Sequence, residues 1–278
     1  ISAQGTSLGA DNGIGVSYIL ALLASDDIPH PPLEAVLTAM EEKGKVGAAN
    51  FDVTQLKGRR MIDFNWITDK EILAGCSGDV TFNVDIPGEF GPVDENLDSF
   101  YELKIRGLAG GHCEFDIQLE RANSIQVLTR ALNKLIELGP IQITAPFGGA
   151  QNNAIPADAE TVVAMSGSMV AEAESQMKQL EADLKVEYEL SDPNIRIEFQ
   201  KTSKPEKVFS KDATVRFAGF TSLIPNAVIS WNTHVPTRVG TSNNLGTVRP
   251  TDEGVRLMST ITASLTSRKH EVYDRVKA

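Results

Sequence analysis

The chain has 278 residues, 41% of them apolar, with 26 basic against 37 acidic side chains and a formal net charge of −11. This is enough apolar material to bury a core in one large or two moderate domains, and it excludes wholesale disorder. The acidic balance argues against a general nucleic-acid binder, and no apolar run approaches the ~20 residues that span a bilayer.

In chain order, Gly13-Ile14-Gly15 leads into residues 16–25, which the apolar run predicts as a buried helix. Residues 33–40 (LEAVLTAM) follow His30-Pro31-Pro32, and their shortness predicts a strand. Residues 61–67 read as another strand. In residues 79–86, Val80, Phe82, Val84 and Ile86 alternate with polar residues, the period of a half-buried strand. Such elements build a layered α/β sheet. The stretch 87–98 (PGEFGPVDENLD) has linker composition, so it predicts a boundary between a domain over residues 1–95 and another over 96–278.

Beyond it, residues 100–108 predict a strand, Gly110-Gly111 a turn, and 113–119 a second strand. Residues 124–138 place Ile125, Leu128, Leu132, Leu135 and Ile136 on one face of an amphipathic helix, which Gly139-Pro140 stops. Strands are expected at 141–144, 161–166, 195–200, 227–231, 245–248 and 255–264. Helices are expected at 171–190, 212–223 and 267–277. The mixture predicts an α+β arrangement, with helices on one face of an antiparallel sheet.

Few residues carry chemistry on their own. Asp11 lies among glycines ahead of a helix, where a carboxylate can either cap the helix or meet a ligand. Glu41-Glu42 end an apolar run and present acids to opposite sides; one could ligate a metal while the other holds a water, or both could be a solvated charge pair. His112 follows Gly110-Gly111 on a tight turn, where it can donate to a substrate oxygen or simply face solvent. The segment GADNGIG lacks the GxGxxG spacing and a Walker lysine, and GxSxG is absent, so neither a nucleotide site nor a nucleophile elbow is supported. The two cysteines, Cys76 and Cys113, have no CxxC spacing, which favours a reducing cytosol over a disulfide scaffold.

Taken together, these segments carry a resemblance. Gln4-Gly5-Thr6-Ser7-Leu8-Gly9-Ala10-Asp11-Asn12-Gly13-Ile14-Gly15 strongly resembles the Xaa-His dipeptidases (aminoacyl-histidine dipeptidases), carnosinase-like members of the zinc-dependent exopeptidase superfamily. Glu41-Glu42-Lys43-Gly44-Lys45-Val46-Gly47-Ala48 is similar to that family's EExGxxGA segment. Gly75-Cys76-Ser77-Gly78, Gly107-Leu108-Ala109-Gly110-Gly111-His112, Asn153-Ala154-Ile155-Pro156 and Thr241-Ser242-Asn243-Asn244-Leu245-Gly246 follow in the family's order. The resemblance implies a partial zinc-exopeptidase catalytic domain and an inserted α+β lid that dimerises through an antiparallel sheet. It implies two zinc ions bridged by Asp11, with Glu42 a zinc ligand and Glu41 the general base for the attacking water. It implies that His112 and Asn153 bind a dipeptide substrate, and that the protein is a cytoplasmic homodimer.

The departures are equally specific. The position of a further metal-binding Asp is Asn65, a weaker zinc ligand, and a lid arginine that contacts substrate in relatives is Thr262. The family's His-x-Asp strand and its last zinc-binding His find no counterpart, and the chain opens at Ile1 rather than Met. An internal fragment of an Xaa-His dipeptidase-like protein is therefore expected, with an incomplete metal site and little activity of its own. A catalytically inactive homologue or dimerisation module is the alternative. A related zinc aminopeptidase or deacylase is a third reading, from which the GADNGIG wording points away.

Overall fold

Asn12 caps the first helix: its Oδ1 accepts the Gly15 N–H at 2.9 Å, and α1 follows over Gly13–Ala24. The protein is described by a computed structural model that covers residues 12–41, 45–66, 69–73 and 75–278. The chain divides into two units, Ile1–Gly75 and Cys76–Ala278.

In the first unit α1 forms as expected but does not bury its apolar side chains. Ile14, Tyr18, Leu20 and Leu23 are each more than half exposed. A second, short helix, α2, spans Val46–Ala49. The strands expected at 33–40 and 61–67 do not form; residues 33–40 and 61–66 are irregular, and 67 lies outside the described residues. Strand structure needs a neighbouring strand for its N–H and C=O groups, and among the described residues no strand pairs with either segment. The Glu34 carboxylate accepts the Lys57 and Gly58 N–H groups, and the Ala39 carbonyl accepts the Gly47 N–H at 3.0 Å.

The second unit opens with β1 (Gly78–Pro87) and β2 (Ser99–Arg106), both expected from the sequence. The linker-like stretch between them is folded into this unit. Val93 and Leu97 are buried, Gly91 bridges Val208, and the Asp94 N–H donates to Gln142 Oε1 at 2.8 Å. The composition break at 87–98 therefore marks a connection inside the unit, and β1 belongs to the same sheet as the strands after it.

After β3 (Gly111–His112) the expected strand at 113–119 is replaced by a turn and a short 3-10 segment, Ile117–Leu119. The Asp116 N–H bonds back to the His112 carbonyl at 3.0 Å, which curls the chain away from an extended course. Next come α3 (Ser124–Leu138), β4 (Gln142–Ile143), β5 (Phe147–Gly148), β6 (Ala154–Ile155), β7 (Ala159–Met165) and α4 (Val170–Glu187). The unit ends with β8 (Arg196–Lys201), α5 (Lys211–Leu223), β9 (Ala227–Trp231), β10 (Val239–Pro250), β11 (Gly254–Ala263) and α6 (Thr266–Lys277).

Helix α3 shows why the sequence was readable here. Asn123 Oδ1 accepts the Ile125 and Gln126 N–H groups, capping the helix. Ile125, Leu128, Leu132 and Leu135 form a fully buried stripe, each side chain contributing about 1.5–3 kcal/mol of burial. Gly139, at φ 155°, ends it.

Nine strands form one sheet in the order β1-β11-β10-β5-β7-β2-β8, with β4 on β7 and β9 on β10; every pairing is antiparallel. Separately, β3 pairs with β6. The helices cover one face. Leu128 of α3, Met177 of α4 and Phe217 of α5 share one buried core with Ile86 of β1 and Leu103 of β2, and Val272 of α6 shares another with Phe82 of β1. Since side chains alternate along a strand, the opposite face of β1, β11 and β10 takes Thr81, Thr260 and Asn244, which the register places side by side. Among the described residues no helix is long and apolar enough to cross a membrane.

Candidate active site

The first unit holds the residues expected to meet a metal and the water. Asp11 and Glu42 lie outside the described residues. Glu41 is exposed, and its carbonyl accepts the Lys45 N–H at 2.7 Å. Met40 and Lys45, which flank the acidic segment, have φ of 60° and 59°. A left-handed backbone costs a side-chain-bearing residue about 1–2 kcal/mol, and Met40 and Lys45 each carry it. Asn65 is exposed, and its own N–H donates to Asp63 Oδ1 at 3.0 Å.

Among the described residues, no group of three or more His, Cys, Asp or Glu side chains is placed to hold a metal ion. The described members of the expected set are one carboxylate, Glu41, and one neutral amide, Asn65. Of the expected ligands the described residues include Asn65, whose neutral amide is a weaker zinc ligand than a carboxylate.

The second unit brings together motifs that are far apart in sequence. His112 on β3 pairs with Ala154 on β6, and the Cys113 N–H donates to the Asn153 carbonyl at 2.9 Å. Asn153, in the turn just before β6, therefore lies against the end of β3 that carries His112. The ring of His112 is half-buried and rests 4.8 Å from the Phe115 ring. Its Nδ1 accepts the Glu114 N–H at 3.1 Å. With Nδ1 an acceptor, the neutral ring carries its proton on Nε2, which leaves Nε2–H as a donor. The His112 N–H donates to Asp116 Oδ2 at 2.7 Å, and Arg121 Nη1 donates to the Gly110 carbonyl at 2.6 Å.

The segment carrying Asn153 lies on the polar face of the sheet. Asn244 Nδ2 donates to the carbonyls of Asn152 and Ala154, at 3.1 and 2.8 Å. Thr260 Oγ1 donates to the Asn152 carbonyl at 3.4 Å and lies 3.0 Å from Thr81 Oγ1. Asn244 is 1% exposed, and its Oδ1 has no hydrogen-bond partner. Arg249 donates to the carbonyls of Gly148 and Gly149, with its guanidinium 4.5 Å from the centre of the Phe147 ring. Gly246 sits at a bulge of β10, and a Cβ there would lie 2.5 Å from the Asn152 carbonyl oxygen. Thr262, in the expected place of an arginine, is buried on β11 opposite Asp79 and Ser242.

Cys113 is buried, and burial first, then Glu114 and Asp79, push its thiol up to about 12. Such a thiol is no nucleophile at neutral pH.

The sequence pointed to His112 and Asn153 but gave Asn152, Asn244, Thr81 and Thr260 no role. One signal was present. Asn243-Asn244 sits inside a strand, where asparagine is uncommon and where a buried amide must find partners.

Residues 103–192 match the family described as the peptidase dimerisation domain. The chain is homologous to dipeptidases along nearly its whole length. It is 29% identical over 272 residues, 98% of the chain, to the cytosol non-specific dipeptidase of Escherichia coli (strain K12). The crystal structure of aminoacylhistidine dipeptidase from Vibrio alginolyticus matches 99% of the chain with a TM-score of 0.78 and 29% identity. The chain spans 56% of the length of each. Over that part it has the fold of these peptidases.

Proposed function

We propose that the chain is part of a metallopeptidase that hydrolyses dipeptides, Xaa-His among them, with zinc as its cofactor. The observation that carries this reading is its homology, along almost all of its length, to two proteins named as dipeptidases. Glu41 is the general base. It takes a proton from water as the water oxygen adds to the peptide carbonyl, and passes it to the leaving amine nitrogen as the C–N bond breaks. Asp11 and Glu42 are the proposed zinc ligands, with Asn65 where a carboxylate is expected. His112 donates its Nε2–H to a substrate oxygen, and Asn153 meets the substrate's terminal groups.

The first unit, Ile1–Gly75, is the proposed part of a catalytic domain, and the second, Cys76–Ala278, holds the proposed lid through which two copies pair. The match of residues 103–192 to a peptidase dimerisation domain supports the pairing. A cytoplasmic location is supported by the cytosolic name of one relative.

A second reading, an inactive homologue or dimerisation module, is favoured by Asn65 and Thr262, which stand where a metal-binding Asp and a substrate-contacting Arg are expected. Hydrolysis of a histidine-terminated dipeptide by the longer protein of which this chain is proposed to be a part, with zinc supplied, separates the two. The dipeptidase reading expects turnover that Glu41→Gln lowers by about 10²–10⁴-fold, with little change in KM. Equal turnover in the variant removes Glu41 from its role, and no turnover in either protein leaves the second reading.

A further inference from the structure

Asp192 lies in the turn between α4 and β8 and is 1% exposed. Its Oδ1 accepts the Ala109 N–H at 2.7 Å, and its Oδ2 accepts the Ala122 N–H at 2.8 Å. Those two residues bracket the segment 110–121, which carries His112. Neither belongs to a helix or strand, so no ladder bond holds them in place of Asp192. The turn itself is fixed: the Asp192 N–H donates to the Tyr188 carbonyl at 2.8 Å, and its carbonyl accepts the Ile195 N–H at 3.0 Å. Gly107, at φ 81°, brings the incoming chain against the same turn, where a Cβ would lie 2.0 Å from the Asn194 carbonyl oxygen.

A buried carboxylate persists only when it is well hydrogen-bonded, and two short N–H bonds satisfy both of its oxygens. Inside the clamped segment, Asp116 and Arg121 complete the hold on His112. Asp116 Oδ2 takes the His112 N–H, and Arg121 Nη1 lies 3.4 Å from that same oxygen.

We propose that Asp192 is a positioning residue for His112: by pinning both ends of residues 110–121 it fixes the segment that holds the imidazole against Phe115 and the Glu114 N–H. The proposal rests on the reading of His112 as a substrate-binding residue. Asp192→Asn tests it, because an amide keeps one acceptor oxygen and puts N–H donors where the other stood. One end of the segment then loses its partner.

The readout is the imidazole Cε1–H signal of His112 in the ligand-free 278-residue chain, assigned by its loss in His112→Gln. In Asp192→Asn this signal moves to the position of histidine in the denatured chain, while those of His234 and His270 stay. An unmoved His112 signal in a folded Asp192→Asn chain overturns the proposal. Leu180→Ala, a buried residue of α4, is the control for general destabilisation; an equal movement there also overturns it. Should Asp192→Asn fail to fold, amide exchange in the unaltered chain decides. Ala109 and Ala122 are expected to exchange as slowly as β2, and fast exchange at both overturns the clamp. No dipeptide enters these measurements. Failure of the unaltered chain to bind one refutes the reading of His112 and leaves the clamp to be judged by its own signals.

Discussion

Asn244 fastens Asn152 to the sheet, its Nδ2 donating to the Asn152 carbonyl at 3.1 Å and to that of Ala154, two residues on, at 2.8 Å. One side chain of β10 thus sets the place of Asn153, which lies between the two carbonyls, and of the strand that pairs with His112. Asn244→Ala leaves both carbonyls without that donor and is expected to lower stability by about 1–3 kcal/mol. Asn244→Asp is expected to cost more at neutral pH, because it turns a buried negative charge toward two carbonyl oxygens. Urea unfolding of the three chains gives the order; a midpoint unchanged in Asn244→Ala contradicts it.

Two glycines are expected to respond in opposite directions. At Gly246 an added Cβ meets the Asn152 backbone at 2.5–2.9 Å, so Gly246→Ala must push that segment off the sheet, at about 1–3 kcal/mol. At Gly219, exposed within α5, an added Cβ meets nothing within 4 Å. Gly219→Ala should therefore stabilise by about 0.4–1 kcal/mol, through the unfolded chain and helix propensity. Thermal or urea midpoints that shift the same way for both refute the close approach at Gly246.

Asp94 links the connection after β1 to α5. The Lys211 side chain first, then the N–H and side chain of Asn96, hold its carboxyl down to about 2. An unfolded aspartate titrates near about 3.9, so the contribution of Asp94 is fully present above that value and is lost as the pH falls through about 2. The stability gap between the unaltered chain and Asp94→Asn is expected to be constant at neutral pH and to close on acidification toward about pH 2. Urea midpoints measured down the pH series check this, and a gap undiminished at the acid end removes the assignment. The pair is at the surface, so added salt should narrow the gap as well.

The parts of the fold legible in the sequence are those whose determinants are local. Asn123 and Gly139 bound α3, and the apolar stripe between them needs no knowledge of the rest of the chain. The alternation from Val80 to Ile86 likewise reads directly as β1. Residues 33–40 and 61–66 mislead because apolar content says nothing about whether a partner strand exists, and among the described residues none pairs with them. The expected strand at 113–119 fails for a different reason: the acid at position 116 turns the backbone back on His112, an interaction that period-two counting does not register.

The candidate site divides in the same way. His112 and Asn153 stand in short motifs and could be singled out. Thr81, Asn152, Asn244 and Thr260 could not be grouped, because only the register of β1, β11 and β10 places them together. Thr81 and Thr260 are 179 residues apart in sequence and 3.0 Å apart in space.

The convergence of His112 and Asn153 is tested most directly by titrating the isotope-labelled chain with a histidine-terminated dipeptide. The amide signals of residues 111–113 and 152–154 are the readout. Both groups are expected to move together and to saturate with one Kd, since a single ligand then touches both strands. Movement of one group without the other, or signals that move only elsewhere in the chain, would show that β3 and β6 do not form a common binding place.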